Sequence, residues 1–148
     1  MSRHLKVPPI PKHVRQFCEG ELAEYHLLKK AWIEAREEMM RIYEEGGDRG
    51  YDKDVVQGGK FVPEQQRTLE RIESIQKSYD AVVAERRCQK IEATMMLLNR
   101  EEQEVLERTY WKRESPVSIQ HNMGMSESTQ RRVRKRIVYY LAIQWRIL

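Results

Sequence analysis

The chain has 148 residues, enough for one domain or two small ones, and its 40% hydrophobic and 34% charged residues with few Gly and Pro exclude a low-complexity chain and fit a mostly helical one. No run of about 18 apolar residues occurs, and "MSRHLKVPPIPKH" lacks the apolar stretch of a signal peptide, so the expectation is a cytoplasmic protein with no membrane partner. The net charge of +4 is unevenly placed: Tyr110 to Leu148 holds eight Lys or Arg against two acidic residues, the rest 19 against 21, which suits an anionic partner at the C-terminal quarter.

Pro8, Pro9 and Pro11 predict an extended lead-in, with Pro11 near the first turn of a helix, where its missing N–H costs little. Apolar residues then recur at Val14, Cys18, Leu22, Tyr25, Leu28, Trp32, Ala35, Met39 and Ile42. Those steps of three and four predict one long amphipathic helix ending before Gly46 and Gly47. The Gly-rich stretch over 46–63 predicts a long connection, and Pro63 opens a second helix carrying Leu69, Ile72, Ile75, Tyr79, Val82, Ile91, Met95 and Leu98. Its stripe weakens around Arg86, Arg87 and Gln89. Two such helices can bury their stripes on each other as a hairpin or on a second copy as a coiled coil; the periodicity satisfies both.

Asn99 with Glu102 three residues on matches a capping box, so a new helix starts at about Arg100 and carries Val105, Leu106 and Tyr110. Ser115 followed by Pro116 caps a short helix, Gly124 supplies the left-handed residue that ends it, and Ser126 caps a longer basic helix. That order is a helix-turn-helix. The predicted fold is therefore all-α: a long N-terminal helical hairpin or coiled coil over 1–98, followed by a C-terminal helix-turn-helix domain over 99–148.

In "SESTQRRVRKRIVYYL" the basic block from Arg131 to Arg136 runs into an aliphatic tail. Placing residues about 100° apart puts Ser126, Gln130, Val133, Ile137, Tyr140 and Leu141 on an inner face, fit to pack on Ile119, Met123, Met125, Val105 and Leu106. The opposite face carries Ser128, Arg131, Arg132, Lys135 and Tyr139, with Arg134 and Arg136 on the flanks. A charge run is more often a solvated face than a binding one. Here it coincides with a capped helix-turn-helix and the one-sided charge, which favours double-stranded DNA as the partner. Beyond Tyr139 only Gln144 and Arg146 are polar, so the helix end predicts packing on the long helices or on a partner chain.

The segment "LNREEQEVLERTYWKRESPVSIQHNMGMSESTQRRVRKRIVYYLA" resembles the C-terminal, promoter-reading helix-turn-helix of sigma factors, and more closely the phage late-gene transcription regulators of the RinA and ArpU type. "GGKFVP", placed between two long helices, is similar to the RinA pattern. The resemblance implies an activator of phage packaging and structural genes working beside the host RNA polymerase. It also implies a recognition helix that starts at Ser126, Glu127, Ser128 and Thr129. Together with the helical geometry it assigns base-edge contacts to Glu127, Ser128, Arg131 and Arg132, and phosphate contacts to Ser126, Thr129, Arg134, Lys135, Arg136 and His121. Gln120 departs from the pattern, which often has a small residue there, and Gln130 stands where an apolar one is common.

No nucleotide-binding loop is present, and His4, His13, His26 and His121 are scattered away from any metal-ligand spacing. Cys18 and Cys88 likewise read as small packing residues. The pairs Glu37–Glu38 and Glu44–Glu45 sit among cations at helical spacings and read as solvated ion pairs. The expectation is a non-enzyme without cofactor or metal, self-associating through its long helices. Rival readings are a DNA-packaging component of the small-terminase kind and a helical protein-binding adaptor.

Overall fold

The computed structural model describes residues 6–47 and 64–148, so "GGKFVP" and Pro63 lie outside the described residues. All regular structure among the described residues is helical, as the composition implied. In chain order it comprises α1 (Lys12–Gly47), α2 (Glu64–Leu97), α3 (Arg100–Leu106) continued by a π turn (Glu107–Trp111), α4 (Pro116–Met123) and α5 (Glu127–Gln144). Helix α1 runs through Gly46 and Gly47 rather than stopping before them. The chain divides into two compact units, Met1–Leu27 with Arg87–Leu148, and Leu28–Arg86; residue 98, where the sequence was divided, falls within the first. No helix among the described residues is long and apolar enough to cross a membrane.

The first unit has a continuous core. Val14, Cys18 and Leu22 of α1 are buried with Cys88 and Ile91 of α2, Leu98 just after it, Val105 and Leu106 of α3, Ile119 of α4, and Ile137, Val138, Leu141 and Ala142 of α5. Each large aliphatic side chain removed from water in this way contributes roughly 1.5 to 3 kcal/mol. The expected stripe of α1 is thus the buried one up to Leu22. Arg87 donates to Glu21 at 2.9 and 3.0 Å and to Glu24 at 3.0 Å, tying α2 to α1.

Local chemistry sets the element boundaries of this unit. The Asn99 side chain accepts from the Glu102 N–H at 2.8 Å while Glu102 accepts from the Asn99 N–H at 3.1 Å, the reciprocal capping box. After Leu106 the helix widens: the Lys112 N–H bonds the Glu107 carbonyl at 2.8 Å, five residues back. Arg113 follows with φ 52°, a left-handed conformation that costs a non-glycine residue about 1 kcal/mol. Trp111, at the end of the wide turn, donates its indole N–H to the Leu22 carbonyl at 3.0 Å and stacks on Tyr25 at 5.1 Å. The π turn had no sequence signal.

The second unit is built differently. Ala81 and Ala84 of α2 are buried, and Lys77 donates to Glu38 of α1 at 2.6 Å, which holds the Glu38 carboxyl below its usual range. The large residues expected to form the buried stripe, Leu69, Ile72, Ile75, Tyr79 and Val82, are exposed instead. Small side chains were the ones turned inward.

Candidate nucleic-acid interface

The expected surface is assembled from α4, the turn after it and α5. Ser115 Oγ accepts from the Ser118 N–H at 3.2 Å and Pro116 occupies the first turn, so α4 is fixed at its start. Gly124 ends it at φ 61°, ψ 37°, with its N–H on the Gln120 carbonyl. A Cβ there would meet nothing within 4 Å, so the need for glycine is one of backbone conformation and not of space. Ser126 Oγ accepts from the Thr129 N–H at 3.2 Å and donates to Thr129 Oγ1 at 2.9 Å, capping α5.

The inner face of α5 is rotated from the one expected. Gln130, Ile137 and Leu141 are buried as predicted, joined by Val138 and Ala142, whereas Val133 and Tyr140 are half-buried and Ser126 is exposed. The physical reason is α1, which packs against the side of α5 that the sequence left open. Phe17 of α1 meets Trp145 edge-on at 5.4 Å and Arg134 reaches Glu19 of α1 at 3.5 Å, while Lys90 of α2 lies over the Trp145 ring at 4.9 Å. Of the apolar end of the chain, Leu141 and Ala142 are buried and Trp145 meets the long helices, whereas Ile143, Ile147 and Leu148 are exposed, so the packing expected on the long helices holds for part of it.

Of the residues singled out as base contacts, Glu127, Ser128, Arg131 and Arg132 are all exposed on α5. Arg131 pairs with Glu127 one turn earlier at 3.0 Å, both about three-quarters exposed, an ion pair worth at most about 1 kcal/mol and easily exchanged. The residues singled out as phosphate contacts divide. Ser126, Thr129 and Lys135 are exposed on α5 and His121 on α4. Arg136 instead donates to Glu102 at 2.7 Å, where that carboxylate is 7% exposed and also caps α3. Arg134 shares Glu19 with the Tyr110 hydroxyl, which donates to Glu19 at 3.4 Å; burial, more than the Glu19 charge, pushes the Tyr110 phenol up to about 12. Both guanidinium groups are thus tied to carboxylates of the scaffold.

Two features were not read from the sequence as such. Gln120 Nε2 donates to Gln130 Oε1 at 2.6 Å, so the two departures from the motif form one contact across the turn. A groove of about 700 Å³ runs beside α5, with Arg15 and Glu19 of α1 and Pro9 and Ile10 of the lead-in on one side and Arg131, Arg134 and Lys135 on the other. It adds Arg15 to the basic surface. The only signal for it was the proline-rich lead-in. No protein-family profile, curated protein or solved structure matches the chain.

Proposed function

We propose that the protein is a sequence-specific DNA-binding transcription regulator, reading duplex DNA through a helix-turn-helix formed by α4 and α5. One observation carries this: Ser128, Arg131, Arg132 and Lys135 are exposed on α5, while Ile137, Val138, Leu141 and Ala142 anchor its other side in the core. A helix held this way presents its first two turns to the major groove. Arg131 and Arg132 can each fork onto the N7 and O6 of a guanine, with Glu127 and Ser128 beside them. Ser126, Thr129, Lys135 and His121 lie where phosphates flank such a helix, and Arg134 and Arg136 chiefly orient α5 through Glu19 and Glu102. The sequence resemblance extends the reading to activation of phage late genes together with host RNA polymerase.

The test is binding to a DNA sequence selected from a random pool by the purified protein. Arg131→Ala or Arg132→Ala should lower affinity for the selected sequence by about 1 to 3 kcal/mol and relax preference at one position, at unchanged thermal stability. Lys135→Ala should weaken all sequences alike and reduce the salt slope by about one phosphate contact. Unchanged affinity and base preference in all three variants would sink the proposal. Binding to an acidic protein without affinity for DNA would favour the adaptor reading in its place.

A further inference from the structure

Helix α2 is apolar on two opposite sides within the second unit. Its inner side is made of Ala81 and Ala84, 6% and 8% exposed. Roughly opposite, at about 100° per residue, stand Ile72, Ile75, Tyr79 and Val82, which are 56%, 69%, 64% and 45% exposed. A helix with large aliphatic residues facing away from its intramolecular neighbour is shaped for a second neighbour. Spacings of three and four along this outer side give two heptads, with Ile72 and Tyr79 at a and Ile75 and Val82 at d.

We infer that this outer face of α2 is a dimer interface, and that its occupant is the same face of a second copy, running antiparallel. The charges beside the stripe decide between orientations. Parallel pairing would place Arg86, at the next a position, against Arg86 of the second copy, a like-charge contact in the seam. Antiparallel pairing about a two-fold axis at the level of residue 77 packs Ile72 on the second copy's Val82 and Ile75 on its Tyr79. It also sets Arg71 opposite the second copy's Glu85, and Glu85 opposite its Arg71, because both occupy g positions. The face is self-complementary in shape and charge, as a closed two-fold interface requires. This deepens the DNA-binding reading, since a two-fold dimer carries two reading helices to two half-sites, but it is tested without DNA.

Light scattering coupled to chromatography on the full chain should give twice the chain mass at micromolar concentration. Ile75→Asp should weaken dimerisation by ~100-fold, because a carboxylate enters an apolar seam, with far-UV circular dichroism unchanged; Ile72→Asp is the second variant and should do the same. Arg71→Glu and Glu85→Arg should each weaken the dimer by roughly five- to tenfold, and the doubly reversed chain should recover it, which parallel pairing does not allow. A monomer at every concentration, a dimer indifferent to both Asp substitutions, or charge reversals that fail to compensate overturns the inference. Binding of the unmutated chain to random DNA tests the reading helix separately. Its absence there, with the dimer intact, counts against the DNA-binding proposal and leaves the dimer standing.

Discussion

Helix α5 and the first half of α2 carry similar aliphatic stripes, yet Ile137 and Leu141 are fully buried whereas Ile72 and Ile75 are more than half exposed. The difference lies in how many neighbours each helix has. Core residues of α1, α3 and α4 are buried together with Ile137, Val138, Leu141 and Ala142 of α5, so that part of its apolar face is covered within the chain. Among the described residues of the second unit, the buried side chains of α2 are the small ones of Ala81 and Ala84. Periodicity states that a face is apolar; the side chains that cover it are a separate fact, set by distant residues.

The contrast is broken most severely in the core. Leu22→Ala or Leu106→Ala should destabilise the protein by about 2 to 5 kcal/mol, since both side chains are fully buried and truncation leaves a cavity. Ile75→Ala, measured at concentrations where the chain is monomeric, should change stability by less than about 0.5 kcal/mol. Chemical denaturation of the three variants decides it. Equal losses would mean that the outer face of α2 is covered within the chain.

A smaller effect sharpens the same comparison inside α5. Arg136→Ala removes the guanidinium that meets a Glu102 carboxylate of 7% exposure, and should cost about 1.5 to 3 kcal/mol of stability. Arg131→Ala removes only an exposed pair and should cost less than about 1 kcal/mol. A urea titration that ranked them in the other order would show that Arg136 is no part of the scaffold. Two arginines of one basic block then differ in kind.

What could be read from the sequence follows the range of the interaction that decides it. The caps at Asn99, Ser115 and Ser126 and the turn at Gly124 were legible, because each rests on hydrogen bonds within a few residues and on one backbone angle. The exposure of Arg131, Arg132 and Lys135 was legible from helical geometry. The pairing of Arg136 and Arg134 was not, since their carboxylates lie 34 and 115 residues away in the chain. Nor was the inner side of α2 with its continuation: Ala81, Ala84, Cys88 and Thr94 are small or polar, and a search for large aliphatics passes over them. The widened turn after Leu106 ends at Trp111, whose indole N–H meets the Leu22 carbonyl, a contact 89 residues apart.

A coupling of about 1 kcal/mol is expected at the one contact formed by two residues that each break the motif. Gln130 is 3% exposed, accepts from Gln120 at 2.6 Å, and leaves its own Nε2 without a partner. A hydrogen bond of this kind contributes about 1 kcal/mol, while the unpaired buried amide subtracts a similar amount. Gln130→Ala should therefore cost more than Gln130→Leu, which fills the same space and removes the unpaired group. Gln120→Ala alone strands the Gln130 carbonyl oxygen, so the double variant Gln120→Ala with Gln130→Leu should be more stable than the sum of the single changes by about 1 kcal/mol. A double-mutant cycle in urea measures that coupling directly. Strict additivity would mean the two glutamines do not hold the turn between α4 and α5, and that Gly124 with the Ser126 cap suffices to set it.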